Sequence, residues 1–191
     1  MKSGVDMTYR DACRLLFAFG LLLFFAGQSQ AADITGYVGG VMPGKISWKG
    51  ITSDLGKSPI FGIRLGVDFL PKLGMEHTLG FSSDYLFPRS LSAVTSAKGF
   101  VYNGNLIVNI PVGRTVPYVT AGAGLVHQYG SPDLPVGTKF AYNYGGGLKF
   151  PRLWGPIGLR FDVRGYTATG IASQRLNMFE ATGGVLLSFG R

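Results

Sequence analysis

An all-β fold is what this sequence predicts: eight antiparallel strands in up-and-down order, closed into a membrane-spanning barrel behind an N-terminal signal peptide. Three observations predict it. Apolar and polar residues alternate in eight segments, the period of an extended chain whose side chains point to opposite faces in turn. The connections between these segments are alternately short and long, as in membrane barrels. Charged residues make up only 15% of the chain, against roughly 25% in soluble proteins. No internal stretch reaches the ~18 consecutive apolar residues of a spanning helix, so a membrane protein of this composition crosses with strands.

The first 31 residues read as an export signal. Lys2, Arg10 and Arg14 outweigh Asp6 and Asp11, the apolar run Leu15 to Ala26 follows, and Ser29-Gln30-Ala31 supplies small residues at a cleavage site. Met7 is an alternative start. The one cysteine, Cys13, precedes the apolar run and leaves with the signal. The mature chain, residues 32–191, then has no disulfide framework and no thiol chemistry, and no second domain follows the barrel.

The first segment, Ile34 to Val41, is glycine-rich. The second, Ile60 to Phe69, sets Phe61, Ile63, Leu65, Val67 and Phe69 against Gly62, Arg64, Gly66 and Asp68. In the third, Met75 to Phe87, His77, Leu79, Phe81, Ser83, Tyr85 and Phe87 oppose Glu76, Thr78, Gly80, Ser82 and Asp84. The fourth, Phe100 to Ile110, places Phe100, Tyr102, Leu106, Val108 and Ile110 opposite Asn103, Asn105 and Asn109. The fifth, Tyr118 to His127, is less clean, with Val119, Ala121, Ala123 and Leu125 facing away from Tyr118, Thr120, Gly122 and Gly124. The sixth, Lys139 to Phe150, opposes Phe140, Tyr142, Tyr144, Leu148 and Phe150 to Lys139, Asn143 and Lys149. The seventh has the clearest alternation: Ile157, Leu159, Phe161 and Val163 against Gly158, Arg160, Asp162 and Arg164. The eighth, Met178 to Phe189, sets Phe179, Ala181, Val185, Leu187 and Phe189 against Glu180, Thr182, Gly184 and Ser188.

The short connections, 70–74, 111–116 and 151–156, are rich in Pro and Gly turn residues. The long ones are 42–59, 88–99, 128–138 and 167–177. With both termini on the periplasmic side, every short turn is periplasmic and every long loop lies outside. Phe61, Tyr85, Phe87, Phe100, Tyr102, Phe140 and Tyr142 gather toward the outer loops, and Phe69, Phe150 and Phe189 toward the inner turns. That distribution is expected of interfacial aromatic girdles.

Pro117 to Gly124, Gly158 to Arg164 and a final strand ending in Phe189 resemble the small eight-stranded outer-membrane β-barrel family that includes the OmpA-type transmembrane domain and OmpW-like proteins. The resemblance covers nearly all of 32–191. It implies a monomer in the cell outer membrane, inserted with the help of periplasmic chaperones and the barrel-assembly machinery. The family usually ends on the aromatic residue itself, whereas Gly190 and Arg191 follow Phe189 here.

The inferred inward face carries Arg64, Asp68, Glu76, Asp84, Lys139, Lys149, Arg160, Asp162, Arg164 and Glu180, five basic residues against five acidic ones. Near-neutral pairing suits an enclosed space, because an uncompensated buried charge is costly. An eight-stranded barrel is just wide enough for its own side chains to fill it, so a lumen plugged by ion pairs is the first expectation. Inward glycines at 62, 66, 80, 122, 124, 158 and 184 leave room for water or a small solute, which keeps a narrow porin-like channel as the alternative.

Net charge falls from +8 to +7 when residues 1–31, with three basic and two acidic residues, are removed. Lys45, Lys49, Lys57, Arg89 and Lys98 lie in the outer loops, where lipopolysaccharide phosphates are within their reach. The basic residues are scattered and no nucleic-acid module accompanies them. A lipid-modifying enzyme would need a serine activated by histidine. The chain has two histidines, His77 on the lipid-facing side and His127 at a strand end with Ser131 four residues on, and no G-x-S-x-G elbow. No enzymatic activity, cofactor or metal is expected. A soluble lipocalin-like barrel would reverse the faces, putting the apolar rows inside and the charges in water.

Overall fold

The computed structural model describes residues 31–48, 51–54, 56–83, 97–130, 137–171 and 174–190. Except for Ala31, the segment read as a signal lies outside them, as do Lys49, Asp84, Tyr85, Phe87, Arg89 and Ser131. The described strands are β1 (Ala31–Pro43), β2 (Lys45–Trp48), β3 (Ile51–Asp54), β4 (Ser58–Leu70), β5 (Leu73–Ser82), β6 (Ala97–Asn109), β7 (Val116–Gly130), β8 (Thr138–Trp154), β9 (Ile157–Ile171) and β10 (Gln174–Gly190). All but β2 and β3 form a closed barrel in which β1 pairs antiparallel with both β4 and β10. Closure removes every sheet edge, which is the condition for a sheet to exist in lipid, where an unpaired N–H or C=O finds no water.

The two faces fall as the alternation requires. Arg64, Arg160 and Arg164 point inward with no exposed surface, while their strand neighbours Ile63, Phe161 and Val163 stand about half exposed on the outside. With apolar residues outside and charges inside, the soluble barrel of opposite polarity is ruled out. On the outer face Phe61, Phe81 and Phe100 share one register row across β4, β5 and β6, their ring centroids 6.3 and 5.2 Å apart. That row lies near the long connections, where a girdle was expected.

The turns at the end holding both termini are short. β4 and β5 are joined through Pro71 and Lys72, and β8 and β9 through Gly155 and Pro156. Gly155 has φ 62°, a left-handed conformation that a residue with a Cβ rarely adopts.

Three connections depart from the sequence expectation. The first long connection contains the β2–β3 hairpin, registered from Lys45↔Asp54 to Trp48↔Ile51. The stretch 167–177, expected as a loop, instead continues the ladder, with Thr167↔Asn177, Ala168↔Leu176 and Ile171↔Gln174. The reason is a change of polarity: Ala168 and Leu176 are inward and fully buried, so the strand persists although its lumen face has become apolar. β8 likewise runs past Phe150 to Trp154 through a register shift, leaving only residues 155 and 156 as the turn.

The candidate functional site is a lumen closed in layers

The barrel directs three layers of side chains into its interior. The middle layer is ionic. Asp162 on β9 is its hub: Arg64 Nη1 donates to Oδ2 at 2.7 Å, Arg164 Nη2 to Oδ1 at 3.0 Å, and Arg160 grips both oxygens at 3.0 Å. Glu76 on β5 receives Arg160 Nη1 at 2.5 Å and Arg164 Nη2 at 2.6 Å. Glu180 on β10 receives Arg64 Nη2 at 2.8 Å. Three guanidinium groups thus face three carboxylates, and these contacts join strands on opposite sides of the barrel. The tyrosine hydroxyl of Tyr118 donates to Asp162 and accepts from Arg160 Nη2 at 2.9 Å. Arg64 stacks on the Tyr37 ring, 3.9 Å from its centroid, and Thr182 and Thr78 take further guanidinium N–H groups. On the opposite wall Asn105 and Asn143 bond through their side-chain amides at 2.6 Å.

Two tyrosines lie along the inner wall because the neighbouring strands carry glycine under them. Tyr118, Gly147 and Asp162 form one register row across β7, β8 and β9. A Cβ at Gly147 would stand 2.6 Å from the Tyr118 hydroxyl. Tyr37 similarly lies over Gly62 and Gly80, where a Cβ would come within 2.9 and 2.7 Å of its hydroxyl. The expectation that inward glycines leave space for solute is corrected at Gly62 and Gly80, where Tyr37 fills it, at Gly66, where Asp33 does, and at Gly122 and Gly124, where Asn105 and Asn103 stand.

Toward the long connections the lumen turns apolar. Val41, Ile60, Val101, Val126, Leu176 and Met178, from five strands, are buried together above Tyr37 and Tyr166, with Ala141 and Ala168 among them. Where β1 begins lies a vestibule of about 200 Å³ with a mixed lining, its polar groups Asp33, Asp68, Asn109, Lys149, Arg152 and Ser188. Lys149 Nζ pairs there with Asp33 Oδ2 at 2.7 Å, and Asn109 donates to Asp68 at 3.0 Å.

Of the ten inward charges expected from the sequence, Arg64, Glu76, Arg160, Asp162, Arg164 and Glu180 meet in the ionic layer. Lys149 lies in the vestibule and is linked to that layer through Asp33, 2.7 Å from Lys149 and 3.9 Å from Arg160, and Asp68 lies there bonded to Asn109. Lys139 is half-buried at the loop end, and no carboxylate among the described residues pairs with it; Asp84 lies outside those residues. Among the described residues neither Asp68 nor Lys139 forms an ion pair with the mid-barrel charges, because each sits near a strand end. Asp33, which pairs with Lys149, was missed at sequence level because β1 shows little alternation. Tyr37 and Tyr166 were missed because aromatics were sought on the lipid face.

Of the basic residues expected in the outer loops, Lys57 is exposed in a connection, whereas Lys98 is exposed on β6, which begins at Ala97, and Lys45 belongs to β2. His77 Nδ1 is 2.9 Å from the Tyr102 hydroxyl, and His127 Nδ1 is 2.7 Å from Thr138 Oγ1.

An apolar belt outside, a closed ladder and a charge-filled interior define a transmembrane β-barrel of the outer-membrane class. The chain belongs to the family described as outer membrane protein beta-barrel domain, which matches residues 17–189, and it is located in the cell outer membrane. Solved structures share the fold. Neisserial surface protein A aligns with a TM-score of 0.64 at 14% identity, over 84% of this chain and 98% of that one. OprG from Pseudomonas aeruginosa aligns at 0.63 and 11% identity, over 86% and 98%. The N-terminal barrel domain of Pseudomonas aeruginosa OprF aligns at 0.51 and 17% identity, over 84% and 98%. Among curated proteins no sequence match is found.

Proposed function

We propose that the protein is a non-conducting outer-membrane barrel of structural or surface-interaction type, without enzymatic activity. The observation that carries this reading is the closed lumen. A layer of paired guanidinium and carboxylate groups is stacked against a dry apolar layer, and both are inaccessible to solvent. A hydrated ion would have to break the charge pairs and then cross a layer lined mainly by aliphatic side chains, and each step is costly. In this reading residues 1–31 are removed on export, the mature chain inserts as a monomer through the barrel-assembly machinery, and the long connections face outward. Lys45, Lys49, Lys57, Arg89 and Lys98 then meet lipopolysaccharide phosphates at the outer surface.

Planar-bilayer recording of the refolded mature protein tests it. A silent membrane is expected, with insertion shown by heat-modifiable migration. Steady openings would overturn the proposal in favour of a narrow channel for small solutes. The vestibule favours that second reading, but its inner wall, Asp33, lies 3.9 Å from Arg160 of the ionic layer. If the ionic layer alone held the lumen shut, Arg160→Ala with Arg164→Ala would open it. Because the apolar layer stands in series with it, this double variant is expected to remain silent.

A further inference from the structure

The barrel end where β1 begins and β10 finishes carries a second cleft, which shares Val116, Pro151 and Arg152 with the vestibule. Arg114 follows Gly113 in the connection between β6 and β7, and Arg152 lies at the end of β8, the strand paired with β7. Between them is an open cleft of about 470 Å³ lined by Gly113, Arg114, Val116, Pro151, Arg152 and Leu153. Both arginines are exposed, and among the described residues no carboxylate pairs with either. Arg152 donates from Nη2 to the Gly190 carbonyl, which orients its guanidinium and leaves the other N–H groups unused.

The backbone is also unusual here. Arg152 has φ 57°, the one residue other than glycine with positive φ among the described residues. A left-handed conformation is unfavourable for a long side chain and is retained where surrounding structure or function demands it. It accompanies the register shift between Phe150 and Trp154, which brings an arginine to the cleft. Leu153 of the cleft wall and the adjacent Trp154 are exposed apolar residues, Trp154 with 65% of its surface exposed. A tryptophan so placed marks the level where acyl chains meet headgroups.

We propose that this cleft holds the phosphate of a membrane glycerophospholipid, clamped between the Arg114 and Arg152 guanidinium groups, with its acyl chains lying along the apolar wall above. Guanidinium groups bind phosphate oxygens through paired, charge-assisted hydrogen bonds. The apolar rim is what selects a lipid over free phosphate.

Native mass spectrometry of the full folded chain, released from neutral detergent with added phosphatidylglycerol or with inorganic phosphate alone, tests the proposal. Retention of one phosphatidylglycerol is expected, falling roughly tenfold or more when R114Q and R152N remove the two surface cations. Asparagine tolerates the left-handed conformation, so the turn survives. K72Q removes a charge from the same end but outside the cleft and is expected to leave retention unchanged. R114Q alone, whose guanidinium has no hydrogen-bond partner among the described residues, provides the measurement if the double variant does not fold. Retention unaffected by these changes would overturn the proposal, and so would an equal loss in K72Q. Variant-sensitive binding of inorganic phosphate as strong as that of the lipid would overturn it in favour of a free-phosphate site.

Discussion

Asp162→Ala is expected to destabilise the folded barrel by about 3–5 kcal/mol, the cost of leaving buried charges without their partner. The substitution removes one carboxylate, but four groups lose an acceptor at once: Arg64, Arg160, Arg164 and the Tyr118 hydroxyl. None of the three guanidinium groups has water to turn to, since all three side chains are wholly buried, and Glu76 and Glu180 cannot balance three positive charges. The contrast with Lys72→Ala makes the measurement specific. Lys72 is exposed, and its removal should shift stability by no more than about 0.5 kcal/mol. Urea unfolding in detergent or lipid, followed by heat-modifiable migration, reads both variants. Equal midpoints for the two would show that the ionic layer contributes nothing to holding the barrel together.

Gly147→Val should be nearly as damaging, at about 3 kcal/mol, by overpacking. A Cβ at this position would collide with the Phe161 carbonyl of β9 and stand 2.6 Å from the Tyr118 hydroxyl. The first contact is with backbone and cannot be relieved by a rotamer change. The second forces Tyr118 off Asp162, so the variant breaks part of the ionic layer without altering a charge. Gly183→Ala is the matching control. That residue lies on the outer face, and an added Cβ would meet ring carbons of Phe161 at 3.5 Å and the Arg160 carbonyl at 4.0 Å, ordinary contacts. Its effect should stay within about 0.5 kcal/mol. If Gly147→Val refolds with the stability of Gly183→Ala, the glycine is not what allows the tyrosine to reach Asp162.

Much of the barrel was legible because a strand in lipid must declare its faces. Phe61, Ile63 and Leu65 alternate with Gly62, Arg64 and Gly66, and no helix or soluble sandwich satisfies that pattern together with so few charges and such regular spacing. The central charges were legible for the same reason: an arginine in a lipid-spanning strand has only the interior to occupy. Three features were not. The ladder beyond Tyr166 was hidden because Ala168, Leu176 and Met178 are apolar on the inward face, and a search for apolar-outside alternation ends where the inside becomes apolar too. Asp33 escaped because its strand is rich in glycine. The inward glycines were read as free space because sequence does not say which neighbour leans over a missing side chain.

By itself, then, the sequence determined that the chain crosses a membrane as eight strands and that its mid-barrel charges face inward, since a period of two and the insolubility of charge in hydrocarbon leave one solution. It did not determine which inward residues meet. Glu76 and Arg160 are 84 residues apart, and Arg64 and Glu180 are 116 apart. Closure of the sheet brings them within hydrogen-bond distance, and the register between strands sets which acid faces which base. The same closure gathers Val41, Ile60, Val101 and Val126, each unremarkable on its own strand, into a continuous dry layer. Partnership across a barrel is a property of register and radius, which only the tertiary structure supplies.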